Sequence, residues 1–233
     1  MLWFASDHPW RTPLATPQFD PTRLPVDAIA GEAPVPAHRL TPDWLRQRFA
    51  APPPWTPEAS DENWSKRPAP PAPASVLVPL VEREYGLALL LTLRTAHLND
   101  HAGQIAFPGG RAEHFDLDAV DTALRETEEE IGLHRRHVEV LGTLPLYTTG
   151  TGYAVTPVVA LVKPPFELKA DPFEVAEIFE VPLAFLMDGA HHERRALAIG
   201  EQRRTFYAMP YERYFIWGAT AGMLRNLFHF LRA

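Results

Sequence analysis

Residues 123–133 read ALRETEEEIGL, and the run contains four glutamates: Glu126, Glu128, Glu129 and Glu130. The residues around them predict a helix over 118–131 with Gly132 as its C-terminal cap. A helix C-terminus already carries partial negative charge, so a cluster of anions is unfavourable there. The cluster is therefore either a solvated face of the helix or a place where cations bind.

The spacing of the glutamates separates them into two groups. Glu126, Glu129 and Glu130 are three or four residues apart, which places them on one edge of a helix, whereas Glu128 points elsewhere. Carboxylates grouped in this way are typical ligands of a hard divalent cation such as Mg²⁺. Helices rich in glutamate are also common as solvated faces, so the spacing alone leaves both interpretations open.

A glycine turn, FPGG at 107–110, precedes this helix. Glycine adopts positive φ angles without steric cost, so the backbone of such a turn can approach a ligand closely. The turn could offer a carbonyl to a metal ion and amides to a phosphate. Together, the turn and the carboxylate helix favour a metal site over a solvated face.

The remaining patterns predict a sheet flanked by helices. Aliphatic and β-branched runs predict strands at 75–83, 87–95, 138–146 and 155–162, and a short strand within 103–110. Further along, the patterns predict a strand with a short helix over 174–187, a strand at the start of 204–218, and a C-terminal helix over 219–233. This order fits an α+β chain that forms an α/β/α sandwich around a mixed β-sheet.

The first 74 residues differ from the rest, since they hold sixteen of the 25 prolines. Runs such as PPPW at 52–55 favour extended backbone over packed helix or sheet. One short helix can interrupt them, because Thr41 can cap PDWLRQRFA with Pro42 at the first helical position. We therefore expect a proline-rich N-terminal arm over 1–74 and one folded domain over 75–233. Whether the arm lies partly on the domain or forms a disordered tail stays open.

The composition of the chain limits its expected cellular location and its expected binding partners. The chain has 233 residues, no cysteine and a formal net charge of −7. Without cysteine there are no disulfides and no thiolate metal sites, and the reducing cytoplasm is the expected location. The acidic balance gives no reason to expect nucleic-acid binding. No apolar run approaches the ~18 residues of a membrane span, and the first residues do not show the pattern of a signal peptide.

The helix and its glycine turn resemble the sequence box of Nudix hydrolases. That box reads glycine, five residues, glutamate, seven residues, then R-E-aliphatic-x-E-E-x-G-aliphatic. Residues 125–133 resemble its second half, and Gly110 resembles its opening glycine. Three features depart from it: Asp116 replaces the glutamate, eight residues then precede Arg125, and Thr127 stands where an aliphatic residue is usual.

A narrower resemblance accounts for these departures. LLTLRTAHLNDHAGQIAFPGG at 90–110 is similar to the signature of the coenzyme A pyrophosphatase subgroup. That subgroup also lengthens the box by one residue and tolerates a small residue at the position of Thr127. Asn99 departs from the subgroup, which usually has arginine there. The resemblance covers roughly 75–233 and leaves the arm outside it.

The resemblance implies a Nudix-type fold and a metal-dependent hydrolase. The implied reaction cleaves coenzyme A or its derivatives into 3′,5′-ADP and 4′-phosphopantetheine, with Mg²⁺ or Mn²⁺ as the cofactor. The implied metal ligands are Glu126, Glu129 and Glu130, with the Gly109 carbonyl as a further candidate. Glu129 or Glu174 would act as the general base, and Arg125 would orient a carboxylate.

Four basic side chains could face the substrate phosphates, although each could equally be an ordinary surface group: Arg94, His97, His101 and Arg111. Gly109 and Gly110 would let the backbone approach the diphosphate. Two other functions stay open: a Nudix hydrolase acting on ADP-ribose or another nucleoside diphosphate derivative, and a non-catalytic Nudix-like binding module. The intact glutamate set argues against the binding module. The expected partner is a small-molecule substrate, and homodimer formation is left open.

Overall fold

The computed structural model describes residues 20–58, 70–96, 103–199 and 202–233. Its α-helices are Pro42–Ala50 (α1), Ala119–Ile131 (α2), Leu183–Leu186 (α3) and Gly218–Arg232 (α4). Its first strands are Val26–Ile29 (β1), Ala72–Arg83 (β2), Gly86–Arg94 (β3), Ile105–Ala106 (β4), Gly109–Arg111 (β5) and Val138–Thr143 (β6). The later strands are Tyr147–Thr148 (β7), Tyr153–Val162 (β8), Val175–Pro182 (β9), Glu193–Ile199 (β10), Gln202–Tyr211 (β11) and Tyr214–Trp217 (β12).

The larger sheet is mixed, because β2 runs parallel to β8 and antiparallel to β3 and β5. The parallel pair is long, with residues 72–81 in register with residues 153–162. The strand order is β4-β3-β2-β8-β6, with β9 beside β3 and β7 beside β8. Successive side chains of each strand point to opposite faces, so the sheet has a core on either side.

Helices cover both of these faces. On one face, Leu77 of β2 packs with Ala123 of α2. On the other face, Val78 of β2 belongs to the core that contains Leu224 of α4. The α+β class and the α/β/α arrangement around a mixed sheet are therefore confirmed. No helix in the described ranges is both long and apolar enough to cross a membrane.

Residues 20–58 of the proline-rich arm lie on the domain. β1 pairs with β10 at the edge of an antiparallel sheet that continues through β11 and β12. α1 begins after Thr41, whose hydroxyl accepts a hydrogen bond from the Trp44 amide, and it buries Leu45 in the larger core. The rest of the arm before β2 lies largely outside the described residues.

The predicted elements differ in how closely the structure follows them. The glutamate helix ends at Gly132, which has a φ of +69°, as its cap position predicts. β2 begins at Ala72, ahead of the predicted start at Ser75. β1 and β10 are missing from the prediction. The charges of β10 suggest an exposed segment, yet Arg195 is buried in it and paired with Glu193.

Candidate active site

Helix α2 holds its carboxylates at fixed positions because its N-terminus is capped and one of its faces is buried against the sheet. The Asp118 side chain caps the N-terminus by accepting a hydrogen bond from the Asp121 amide at 2.9 Å. The small side chains of Ala123 and Thr127 are fully buried against the sheet, and the Thr127 hydroxyl donates to the Ala123 carbonyl at 2.6 Å. With this face buried, Glu130 points inward and Glu129 outward.

Glu130 is the most buried carboxylate of the helix, with a side chain 6% exposed. It accepts a hydrogen bond from the Gly109 amide at 3.0 Å, and the Arg94 guanidinium lies 3.5 Å away. Burial nevertheless raises the pKa of Glu130 to about 7, and the charges of Glu174 and Glu126 add to this rise. The rise in pKa therefore reflects chiefly the removal of this carboxyl group from water.

Both glycines of the predicted turn are required for close packing. Gly109 has a φ of +150°, and a Cβ there would lie 2.4 Å from the Ser75 carbonyl oxygen. A Cβ on Gly110 would lie 2.5 Å from Oε2 of Glu126. The turn thus seats its backbone directly against the carboxylates of Glu126 and Glu130. That the Gly109 carbonyl binds a metal ion stays a prediction.

Arg125 organises the carboxylates around it. Its Nε and one terminal nitrogen donate to both oxygens of Asp116, at 2.7 and 2.9 Å. Its other terminal nitrogen donates to Glu126 at 2.9 Å and to Glu129 at 3.0 Å. This guanidinium holds the pKa of Asp116 well below its usual range. Arg125 therefore contacts carboxylates, as expected of a residue that orients them.

Glu128 lies apart from this group. Its carboxylate accepts hydrogen bonds from the backbone and the side chain of Arg135, at 2.8 and 3.1 Å. The division of the four glutamates made from their spacing agrees with these contacts.

Arg94 joins the helix to the opposite side of the site. Its guanidinium lies between Glu130 and Glu174, with Nη2 3.8 Å from the Glu174 carboxylate. Within the described residues, Nε of Arg94 is buried and has no hydrogen-bond partner. Arg111 is exposed on β5, where its carbonyl accepts from Arg125 at 3.2 Å.

Three residues named from the sequence, His97, Asn99 and His101, lie outside the described residues. Asp116 is the site residue whose role sequence reasoning missed. It appears there only as a departure from the usual box. Asp116 is separated from Arg125 by only a few residues, and a helix begins between them. This short separation could have indicated that the two side chains form an ion pair.

The carboxylates of this site are suitable ligands for a hard divalent cation, although they do not converge on one point. Among the described residues, no three acidic or histidine side chains converge into a ready metal-binding cluster. Glu126 and Glu130 supply the oxygen ligands that Mg²⁺ and Mn²⁺ prefer. Burial raises the pKa of both carboxyl groups, which a bound cation would reverse. Glu129 is 61% exposed and paired with Arg125, so its part in such a set stays a prediction.

Comparison with known proteins yields a family match over this part of the chain. The family profile described as NUDIX domain matches residues 71–198. An Escherichia coli K12 protein named "Uncharacterized Nudix hydrolase NudL" is 44% identical over 155 residues, which cover 66% of this chain and 80% of that protein. The protein of the same name from Escherichia coli O139:H28 is 40% identical over 189 residues, or 81% of this chain and 93% of its own length.

Solved structures give weaker matches. A Caenorhabditis elegans Ap4A hydrolase aligns with a TM-score of 0.42 at 18% identity, over 47% of this chain and 80% of that one. The MutT protein of Methanosarcina mazei aligns with a TM-score of 0.41 at 22% identity, over 52% and 83%. Assignment to a family therefore depends on the sequence matches.

Proposed function

This chain belongs to the Nudix family of hydrolases, which act on nucleoside diphosphate derivatives, and we propose that its substrate is coenzyme A or one of its derivatives. The observation that carries the proposal is that the Arg94 guanidinium contacts Glu130, whose carboxylate also accepts a hydrogen bond from Gly109 of the glycine turn. Arg94 comes from the segment at 90–110 that is similar to the coenzyme A pyrophosphatase signature. Arg94 of this segment would thus stand beside a diphosphate held at Glu126 and Glu130.

The proposed reaction hydrolyses the diphosphate of coenzyme A into 3′,5′-ADP and 4′-phosphopantetheine. A Mg²⁺ or Mn²⁺ ion held by Glu126 and Glu130 would supply charge neutralisation and lower the pKa of a bound water. Arg94, whose side chain is 25% exposed, would donate from its guanidinium to a diphosphate oxygen, a charge-assisted contact for which guanidinium is well suited. Arg111, exposed on β5, would add a second cationic contact.

Two carboxylates could accept the proton of the attacking water. Glu129 and Glu174 are the more exposed acids of the site, with side chains 61% and 42% exposed, so each can reach a substrate-bound water. Arg125 holds Glu129 at 3.0 Å and fixes its direction. Arg125 therefore acts as a positioning residue in this proposal, and the choice of base between the two glutamates is left to mutation.

The test is product analysis with the full-length protein. Coenzyme A and ADP-ribose are incubated separately with Mg²⁺ or Mn²⁺, and products are separated by ion-pair chromatography. The proposal requires 3′,5′-ADP from coenzyme A. Turnover of ADP-ribose without product from coenzyme A would refute the substrate assignment and leave the family assignment intact.

Paired variants test the assignment of the carboxylates. Glu130→Gln should lower kcat roughly 100-fold or more, the scale of losing one electrostatic stabiliser of a transition state. Glu128→Gln is the matched control, because it lies on the same helix and faces away from the site, and it should retain kcat. Both melting temperatures are recorded, and full activity of a folded Glu130→Gln protein would contradict the assignment.

A further inference from the structure

Glu174 reaches the site on a short stretch of chain, residues 169–174, which we call the connecting segment. It leads directly into β9, whose first residue is Val175. Its backbone is bonded to two separate elements, the end of α2 and the end of β3. The connecting segment therefore determines where Glu174 lies relative to the carboxylates of α2.

The first half of the connecting segment is fixed to the C-terminus of α2. The Lys169 amide donates to the Ile131 carbonyl at 2.9 Å, and the Asp171 amide donates to the Glu130 carbonyl at 2.8 Å. The last carbonyls of a helix have no partner within the helix, so these two bonds satisfy them. The backbone of Glu130, a proposed metal ligand, is thus bonded to the segment that carries Glu174.

Asp171 forms the turn between the two halves of the segment. Its Oδ1 accepts a hydrogen bond from the Phe173 amide at 2.8 Å. Its carbonyl accepts from the amides of Glu174 at 3.2 Å and Val175 at 2.8 Å. An aspartate that accepts from the amide two residues ahead fixes the local direction of the chain. Asp171 therefore sets the path of the backbone from α2 towards Glu174.

Thr95, which directly follows β3, fixes the second half of the segment. It is 7% exposed, and its hydroxyl donates to the Phe173 carbonyl at 2.8 Å. Its amide donates to the Glu174 carbonyl at 3.0 Å. These two carbonyls belong to the peptide groups on either side of the Glu174 Cα. Because peptide groups are planar, holding both of them fixes the direction of the Glu174 side chain.

The sheet is irregular at the same place. Leu93 lies opposite Glu177, but the next residue, Arg94, lies opposite Val175. One step along β3 thus corresponds to two steps along β9, the pattern of a β-bulge with Ala176 as the extra residue. A bulge bends its strand and changes the direction of the side chains near it. The contacts of Thr95 thus fix the chain at the point where β9 departs from regular pairing.

We propose that Thr95 is a positioning residue that holds the backbone on both sides of Glu174, so that its carboxylate stays beside Arg94 and Glu130. Arg94 and Thr95 are consecutive, and Arg94 lies 3.8 Å from the Glu174 carboxylate and 3.5 Å from that of Glu130. One strand end thus holds both the backbone and the side chain of Glu174. This inference rests on the proposed function, and it favours Glu174 over Glu129 as the group that accepts the proton of the attacking water.

The test measures kcat and KM of the full-length protein for coenzyme A with Mg²⁺. Thr95→Val removes the hydroxyl but keeps the shape of the side chain and the amide bond to Glu174. It should lower kcat by about 10- to 100-fold, the scale of a displaced catalytic group, with a smaller change in KM. Thr95→Ser restores the donor and should recover most of kcat.

A double-mutant cycle separates positioning from general stabilisation. Glu174→Gln should itself lower kcat, and adding Thr95→Val to it should lower kcat no further, because a positioning residue acts only through the group that it positions. Losses that multiply in the double variant would overturn the inference. Asp171→Ala acts on the same segment through the Phe173 amide, so it should show the same dependence on Glu174 if Thr95→Val folds poorly.

Thr220→Val is the matched control. The Thr220 hydroxyl belongs to α4, is similarly buried at 6% exposure, and donates to the Ile105 carbonyl at 3.0 Å. This variant should retain kcat. Hydrogen exchange supplies a measurement that needs no substrate. The amides of residues 173–175 should exchange up to about 10-fold faster in Thr95→Val, the effect of losing one hydrogen bond, and at an unchanged rate in Thr220→Val.

The outcomes separate this inference from the proposed function. Faster exchange with an unchanged kcat would overturn the inference, because Thr95 would then only stabilise the fold. Full kcat in Glu174→Gln would also overturn it and would leave the proposed function intact with Glu129 as the base. If ADP-ribose is hydrolysed and coenzyme A is not, the proposed substrate is refuted, and the same cycle with ADP-ribose decides the role of Thr95. Hydrolysis of neither substrate would overturn both.

Discussion

Arg225 should be the residue on which attachment of the arm depends most. Its side chain is 3% exposed and belongs to α4. It forms a two-point ion pair with Glu32 at 2.7 and 3.1 Å and a further bond with Glu58 at 3.0 Å. Both glutamates belong to the arm, so this one guanidinium joins two distant parts of the arm to the C-terminal helix.

The variant Arg225→Met keeps the length of the side chain and removes its charge. Removing one partner of a buried ion pair typically costs 3–5 kcal/mol, because the other charge stays buried without compensation. Glu32 and Glu58 remain 29% and 28% exposed, so the lower end of that range applies. We expect a loss of about 3 kcal/mol, which corresponds to a fall in melting temperature of about 6–12 °C for a chain of this size.

Arg46→Met is the matched control for this loss. Arg46 also joins the arm to the domain, through Glu139 at 2.8 Å, but its side chain is 39% exposed. Exposed pairs contribute about 0.2–1 kcal/mol, so the control should shift the melting temperature only slightly. Thermal unfolding followed by near-ultraviolet circular dichroism at pH 7 measures both variants. An Arg225→Met protein no less stable than the control would refute the reasoning.

Adding Glu32→Gln and Glu58→Gln to Arg225→Met separates the two contributions to the loss. The triple variant leaves no buried charge at this position, so it should recover most of the lost stability. If it recovers none, the loss arises from packing of the arginine stem rather than from the orphaned carboxylates.

Three further changes test other parts of the structure. Gly110→Ala should lower kcat for coenzyme A by up to about 100-fold at an unchanged melting temperature. The new Cβ would lie 2.5 Å from Oε2 of Glu126 and would displace that carboxylate. A retained kcat would contradict this geometry. Burial of the His192 imidazole lowers its pKa from 6.5 to about 4. Its contribution to the free energy of unfolding, about 3 kcal/mol, should therefore be fully present above pH 6.5 and be lost as the pH falls towards 4. In urea titrations at several pH values, His192→Asn should remove this part of the pH dependence. Leu45→Ala should lower the free energy of unfolding by about 2–5 kcal/mol, because Leu45 is fully buried in the larger core. If α1 folds with the domain, this variant should unfold in one cooperative transition, without a separate early one.

The glutamate helix and the glycine turn could be predicted because their signals are local. Asp118, Gly132 and the small residues between them specify the start, the end and the buried face of α2 within a few turns of chain. The long strands β2, β3 and β8 of the larger sheet are also evident, since they are rich in aliphatic residues. The same reasoning placed Glu128 apart from the other glutamates, and its contacts with Arg135 agree.

Helix α1 of the arm begins after Thr41 as predicted, but the attachment of the arm to the domain could not be predicted, because the contacts that order it are remote in sequence. Its prolines favour extended backbone and give no internal core. Glu32 meets an arginine 193 residues away, and no local pattern marks either as a buried pair. The same applies to Arg195 of β10, which donates to Glu193 on its own strand and to carbonyls of the remote arm. A charged residue in a strand is predicted to be exposed unless the partner that neutralises it is known.

The departures from the usual Nudix box have a common physical explanation in these contacts. Asp116 is shorter than the usual glutamate, yet it binds Arg125 at two points, because the loop before α2 brings it to the guanidinium. Arg125 in turn holds Glu126 and Glu129. Thr127 fits its fully buried position because its hydroxyl is satisfied by the Ala123 carbonyl. The longer spacing and the two substitutions are thus compatible with a guanidinium that holds Asp116, Glu126 and Glu129 together. Asp116→Asn should therefore lower kcat through Arg125 while the melting temperature stays close to that of the unaltered protein, and an unchanged kcat would contradict this role.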